Sequence, residues 1–375
     1  MNRIYLDNAA TTPMDPQVVE AMLPYFQTHF GNPSSIYSFG RETRLAIENA
    51  RKTVARLLKV SPGEIFFTSG GTESDNMAIR AAVEELNCRH IITSPIEHHA
   101  VLHTVEHLKK VFPVTVSYVK ILPNGHIDIA HLETLLRDSD HRSLVTLMHA
   151  NNEIGNILDI EAVGLVCKKF DAIFHSDTVQ TLGHYALDLS KKWIHFATGA
   201  GHKFHGPKGT GILYISDEVK VGPMIHGGGQ ERNMRAGTEN VAGVVGFAKA
   251  LELAEANLGH EAEYILSLKN YMAAALQKAI PAVHFNGDWD GNSLYTVLNA
   301  SFPRTEKSEL LLMGLDMQGI CVSGGSACSS GTDLGSHVIS ALPDQQARVP
   351  IRFSFSKYNT TQEIDQVVET LMILL

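Results

Sequence analysis

Short apolar runs alternate along the first half of the chain with longer stretches in which apolar residues recur at helical spacing. Residues 90–93 (HIIT), 114–119 (VTVSYV), 144–148 (LVTLM), 172–175 (AIFH), 194–198 (IHFAT) and 211–215 (GILYI) are predicted as buried strands, and 65–68 is strand-like as well. Between them, 73–86, 100–111, 130–137 and 161–170 carry the spacing of amphipathic helices. Strands alternating with helices of this length imply βαβ units, and so an α/β fold with a mostly parallel sheet covered on both faces. Such sheets bind ligands beyond the carboxyl ends of their strands. After about residue 217 the pattern changes. Residues 224–238 are Gly-rich and polar, too irregular for a core element. A long helical stretch then runs over 240–279, with Gly259 expected to break it. Apolar stretches at 283–285, 295–301, 320–323 and 351–355, with helices near 308–315 and 361–374, describe a second, smaller α+β domain from about residue 258 onward.

Composition narrows the function classes. A chain of 375 residues, 44% hydrophobic and 19% charged, is an ordinary globular protein long enough for two or three domains. Lys+Arg 31 against Asp+Glu 40 gives a net charge of −9, which argues against nucleic acid or an anionic membrane as the main partner. Four cysteines cannot form a disulfide framework in a chain this long; free thiols fit the cytoplasm, where a special cysteine is catalytic or redox-active. The opening residues lack the apolar region of a signal peptide, and no apolar run approaches the ~18 residues of a membrane span.

Three segments carry candidate chemistry. Thr68-Ser69-Gly70-Gly71-Thr72-Glu73-Ser74-Asp75-Asn76 joins a strand to a helix, and its glycines let backbone N–H groups approach a phosphate; a plain turn capped by Thr72 is the alternative. It is not a Walker loop, since Lys208-Gly209-Thr210 has the wrong order. Asp177 ends a buried strand, where its carboxylate needs a cation or a protonated ring nitrogen unless it serves as a helix cap. Lys203 lies in a loop beyond the strand 194–198, and partial burial of an amine there suits Schiff-base chemistry. Phosphate site, carboxylate and lysine in this order are the counterparts of pyridoxal 5'-phosphate. Two further residues stand out. Arg352 sits in an apolar run and needs a partner if buried, or else faces solvent from an edge strand. Cys328 lies among Ser323-Gly324-Gly325-Ser326-Ala327 and Ser329-Ser330-Gly331, where a core cysteine would have nothing to pack against, whereas Cys88, Cys167 and Cys321 fall in or beside helix and strand patterns. The clusters His98-His99…His103 and His202…His205 lack a Cys or carboxylate at metal-ligand spacing, so no metal is expected.

The motifs continue in one order along the chain: Tyr5-Leu6-Asp7-Asn8-Ala9-Ala10-Thr11-Thr12-Pro13, Gly31-Asn32-Pro33-Ser34-Ser35, the segment from Phe67 to Asn76, Glu97-His98-His99-Ala100-Val101, Met148-His149-Ala150-Asn151-Asn152-Glu153-Ile154-Gly155, His202-Lys203, Gly206-Pro207-Lys208-Gly209, Arg235-Ala236-Gly237-Thr238, Gly325-Ser326-Ala327-Cys328 and Ile351-Arg352-Phe353-Ser354. Over essentially its whole length the chain thereby resembles the cysteine desulfurases, NifS/IscS-like members of the class V aminotransferase group of pyridoxal phosphate enzymes. The resemblance implies fold type I, with a large cofactor-binding domain over 15–257 and a small domain built from 1–14 and 258–375 that carries a catalytic loop at about 321–334. It implies that Lys203 holds the cofactor covalently and moves the substrate's Cα proton. His98 stacks on the ring and handles the thiol proton, Asp177 pairs with the ring nitrogen, and Gln180 reaches the phenolic oxygen. Gly71, Thr72 and His202 cradle the phosphate, which Thr238 of a second subunit also reaches, making a homodimer. Asn152 lies by the cofactor and, with Arg352, binds the substrate carboxylate. Cys328 takes sulfur from L-cysteine as a persulfide, leaving L-alanine, and passes it to an acceptor protein, an iron–sulfur scaffold or a sulfur relay protein. Another class V aminotransferase or lyase acting on a small amino acid is the alternative, and it leaves Cys328 without a role; a carrier protein that has lost catalysis is the rival from another class. One departure stands out: Ala200 replaces the serine usual three residues before the lysine, so weaker cofactor retention is expected.

Overall fold

Strand β1 (Ile4–Tyr5) opens a computed structural model that describes residues 3–305, 308–324, 335–343 and 348–375. The next seven strands are β2 (Ile65–Thr68), β3 (His90–Thr93), β4 (Thr115–Tyr118), β5 (Ser143–Thr146), β6 (Ile173–Asp177), β7 (Phe196–Ala200) and β8 (Gly211–Ile215). They form one sheet in the order β2-β8-β7-β6-β5-β3-β4. Strands β3 to β7 run parallel, and β8 is antiparallel to both of its neighbours. The predicted strands correspond to these within a residue or two at each end. Neighbouring residues point to opposite faces, as the pleat requires. Ile92, Val145, Phe174 and Ala197 join one core layer, while Ile91, Leu144, Ile173 and Phe196 join the other.

A second core lies around a three-stranded antiparallel sheet, β12-β10-β9, made of β9 (His284–Phe285), β10 (Val297–Pro303) and β12 (Arg348–Ser354). Strand β11 (Ile320–Cys321) pairs in parallel with β1, so the two ends of the chain meet in this layer. The helix Val241–Ala279 links the cores: Val244, Phe247 and Leu251 pack in the first, and Ile265, Met272 and Leu276 in the second. It runs unbroken through Gly259, contrary to the expected break. A Cβ at Gly259 would touch nothing within 4 Å, so this position faces open space, and one exposed glycine costs only about 1 kcal/mol against the packing of both flanks.

A 20-residue helix, Ser38–Leu57, escaped the pattern. Its buried face includes Gly40, Thr43, Arg51 and Ala50 beside Ile47 and Val54, while Phe39 and Leu45 are exposed, so the inner face keeps helical spacing but few large apolar residues mark it. Among the described residues no helix is long and apolar enough to cross a membrane.

Candidate active site

Loops beyond the carboxyl ends of β2, β3, β5, β6 and β7 surround a cavity of about 240 Å³. At one end stands the N-terminus of the helix Gly71–Glu84. Gly70 at its cap has φ 151° and no side chain to satisfy the first N–H groups, which are therefore available to an anion. Gly71 must also lack a side chain, because a Cβ there would lie 2.8 Å from Val179 Cγ2.

Lys203 ends the single turn Gly201–Lys203 that follows β7. Its Nζ donates to the carbonyls of Ala9 at 2.7 Å and Ala10 at 2.9 Å, so the N-terminal segment aims the amine into the cavity. That segment is itself tied down: Thr12 donates from N at 2.9 Å and from Oγ1 at 3.0 Å to the His202 carbonyl. Gln180 Nε2 donates to the Ala9 carbonyl at 3.0 Å. His202 lines the cavity, with Nδ1 3.2 Å from Thr11 Oγ1.

The floor is acidic and buried. Asp177, at the end of β6, accepts from Val179 N at 2.9 Å, and burial pushes its carboxyl up to about 7, with nearby Asp75 adding to the rise. Asp75, from the helix Gly71–Glu84, is also pushed up to about 7 by burial. Its Oδ1 lies 3.4 Å from His175 Nε2, without hydrogen-bond alignment. His175 contacts Thr146 Oγ1 at 2.8 Å and is held down to about 4 by burial, hence neutral. His98 completes the floor: its Nδ1 accepts from Ala100 N at 3.1 Å, which places the ring proton on Nε2. Burial, and then the Lys203 charge, lower His98 to about 4. Ligand atoms of Asp75, His98 and Asp177 lie within 4.8 Å of one another, so spatial neighbours supply the carboxylates that spacing along the chain did not place beside His98.

At the mouth, Arg352 of β12 is 1% exposed. Its Nη2 donates to Asp7 Oδ1 at 2.7 Å and its Nη1 to the Asn152 carbonyl at 2.9 Å. Buried Nε has no partner among the described residues, so the guanidinium keeps donors for a carboxylate. Glu153, beside Asn152, accepts from Ser336 Oγ, and burial raises its carboxyl.

Lys203, Asp177, Gln180, His98, His202, Gly71, Thr72, Asn152 and Arg352 thus share one cavity. Thr238 is exposed and does not line it. Cys328 lies outside the described residues, while Cys88 and Cys167 sit in the cores, where burial raises their thiols. Asp75, Glu153 and His337 line the cavity without having been singled out, as does His99, which was weighed only in a metal cluster. The spacing of Asp75, four residues after Gly71 and so one helical turn into the site, was the available signal. Ala200 packs near Gly71, and the Thr198 hydroxyl is engaged 3.2 Å from His175 Nε2 rather than facing the cavity, so it does not replace the missing serine. Pyridoxal phosphate carries an anion, a ring nitrogen that takes a proton and an aldehyde. The cavity offers a counterpart to each: uncapped amides, a carboxylate costly to bury alone, and an amine.

The family model described as Aminotransferase class-V matches residues 4–367. The "Cysteine desulfurase IscS" of Dictyoglomus turgidum is 44% identical over 373 residues, covering 98% of this chain and 93% of that protein. A solved structure titled "NIFS-LIKE PROTEIN" superposes with TM-score 0.91 at 39% identity, covering 99% of both chains. Another, "SspA in complex with cysteine", has TM-score 0.81 at 32% identity, covering 96% of this chain and 100% of that one.

Proposed function

The chain belongs to the class-V aminotransferase family and, within it, to the cysteine desulfurases; on that premise we propose that it transfers sulfur from L-cysteine to Cys328, leaving L-alanine. The observation that carries this reading is the convergence of Lys203, Asp177, the open helix end at Gly71 and Arg352 on one cavity. Pyridoxal 5'-phosphate would be held by Gly71, Thr72 and His202 at the phosphate, by Asp177 and Gln180 at the ring and by Lys203 at the aldehyde. When bound, it supplies an electron sink that makes the substrate's Cα–H acidic.

The chain's own groups do the rest. Arg352, aimed by Asp7, and Asn152 bind and orient the substrate carboxylate. Lys203 Nζ takes the Cα proton. His98, kept neutral by burial, is the group available to manage the proton of the substrate thiol. The Cys328 thiolate bonds to the substrate sulfur while the Cβ–S bond breaks; protonation at Cβ and return of a proton to Cα give alanine, and the sulfur stays as a persulfide. An acceptor protein, an iron–sulfur scaffold or a sulfur relay protein, then takes it. The chain works as a cytoplasmic homodimer, with the partner subunit's Thr238 completing the phosphate site; exposed Phe26, Phe30, Ile36 and Tyr37 support an apolar subunit interface. The unit 15–257 binds the cofactor, and the unit of 1–14 with 258–375 brings Arg352 and Cys328 to it.

The test is release of alanine and sulfide from L-cysteine with a thiol reductant present. Wild type turns over and Cys328→Ala does not. Equal activity of the two would overturn the persulfide route, and a cofactor-loaded protein inert toward cysteine would overturn the substrate.

A further inference from the structure

The helix that opens at Gly71 carries an acidic residue, Glu73, in its first turn. At an ordinary helix start a carboxylate is favourable, because it faces the positive end of the dipole. Here the same end faces the cavity, so an unpaired Glu73 would repel the anion that the amides are placed to receive. Its carboxylate is instead turned back. Oε2 accepts from Ser69 N at 3.0 Å and from Ser69 Oγ, and the Arg235 guanidinium grips both oxygens, Nε to Oε1 at 2.8 Å and Nη2 to Oε2 at 3.1 Å. The pair is largely shielded, with side-chain exposures of 24% for Arg235 and 15% for Glu73.

Arg235 arrives from the irregular segment 224–238, which is held by a second, independent device. Glu231, Arg232 and Asn233 have successive φ values of 44°, 56° and 67°. Non-glycine residues adopt this left-handed region only at a cost in backbone strain. A buried ion pair fixes the turn: Arg51 donates to Glu231 Oε2 at 2.8 Å and to Oε1 at 2.9 Å. Glu231 Oε2 also accepts from Phe67 N at 2.8 Å. Phe67 directly precedes Thr68-Ser69-Gly70. Segment 231–235 therefore grips the approach to the anion site twice, at Phe67 through Glu231 and at Ser69 through Glu73.

We propose that Arg235 is a positioning residue for the cofactor's phosphate, neutralising Glu73 and holding it against Ser69 so that the amides at Gly71 and Thr72 face the anion without a competing charge. The proposal rests on the reading above that the phosphate lies at this helix end. It does not require Arg235 to touch the cofactor.

The experiment compares two ligands on the cofactor-free protein: pyridoxal phosphate, and pyridoxal, which lacks the phosphate. Arg235→Gln weakens pyridoxal phosphate by roughly tenfold while pyridoxal stays within about twofold, because the uncovered Glu73 charge acts on the phosphate alone. Adding Glu73→Gln to Arg235→Gln restores most of the lost affinity, since an amide still accepts from Ser69 and carries no charge. Equal weakening of both ligands, or failure of the second substitution to rescue, overturns the role of Arg235 and marks it as a structural brace only. Thr72→Val is the control on the underlying reading and selectively weakens pyridoxal phosphate. If Thr72→Val binds both ligands like wild type, the phosphate is elsewhere, and that reading falls together with this inference.

Discussion

The floor of the cavity and its mouth are built in opposite ways. Floor residues come from one sheet, each at a strand end or helix start: Gly71 after β2, His98 after β3, Asp177 on β6 and Lys203 after β7. The mouth is assembled across the two cores, with Arg352 from β12 paired to Asp7 near the chain start and to the carbonyl of Asn152. The floor thus inherits its geometry from the regular spacing of parallel strands. The mouth depends wholly on contacts between distant segments, with sequence separations of 200 and 345, whereas in the floor such contacts only fix the aim of side chains that the sheet already places, as Ala9 and Ala10 do for Lys203. This difference separates the roles: a rigid floor suits a resident cofactor, and a mouth of mixed origin can be tuned to a substrate.

Substitutions at each place should separate along the same line. Lys203→Ala is the largest blow to the floor: turnover of cysteine falls by roughly 10³-fold or more, and the cofactor is no longer retained covalently, as read by borohydride trapping and mass spectrometry. Next is Asp177→Asn, which lowers kcat by about 10²-fold with little change in KM, because an amide cannot stabilise the ring proton. The mouth should answer in the reverse sense. Arg352→Lys raises KM for cysteine by roughly tenfold or more and leaves kcat nearly intact, because a point charge replaces a two-pronged donor. An equal fall in kcat for Arg352→Lys and Asp177→Asn would erase the distinction.

A pH titration sharpens it further. With its carboxyl pushed up to about 7, Asp177 of the cofactor-free protein takes up a proton as pH falls through that value, and the protonated form cannot pair with a cationic ring. Cofactor affinity therefore declines below about pH 7 and is steady above it, and Asp177→Asn flattens the profile; equilibrium binding across that range checks both. The smallest effect is Ala200→Ser, which restores a hydroxyl beside Gly71 and tightens cofactor binding by about two- to tenfold, corresponding to roughly 0.5–1.5 kcal/mol. No tightening would mean that this corner of the floor is already saturated.

Sequence was most informative where local pattern and chemistry coincide. The strands of the main sheet, the glycines before the helix at Gly71, Asp177 and Lys203 are all marked by short-range features. The helix Ser38–Leu57 was hidden because small and polar residues such as Gly40, Thr43 and Arg51 occupy its inner face. Arg51 is buried only because Glu231 meets it from far along the chain, a partnership that no periodicity reports. Asp75 and Glu153 were overlooked for the same reason. A carboxylate inside a helix or loop reads as solvated until the fold brings other acids or a hydroxyl to it. Gly259 misled in the other direction, since helix propensity is weak against two cores that both claim the same helix.

The pairing of β1 with β11 has a consequence for biogenesis. The carbonyls of Ala9 and Ala10 that aim Lys203, and Asp7 that aims Arg352, are synthesised long before the strand that seats β1, Ile320–Cys321. At roughly 5–20 residues per second, that wait is on the order of tens of seconds. The nascent chain can lay down its central sheet meanwhile, with the Thr12 bonds to the His202 carbonyl holding the N-terminal segment near Lys203 until β1 is seated. Cofactor capture in its final geometry therefore follows the synthesis of Ile320–Cys321, and a chain truncated before residue 320 would carry its sheet without the strand that seats β1.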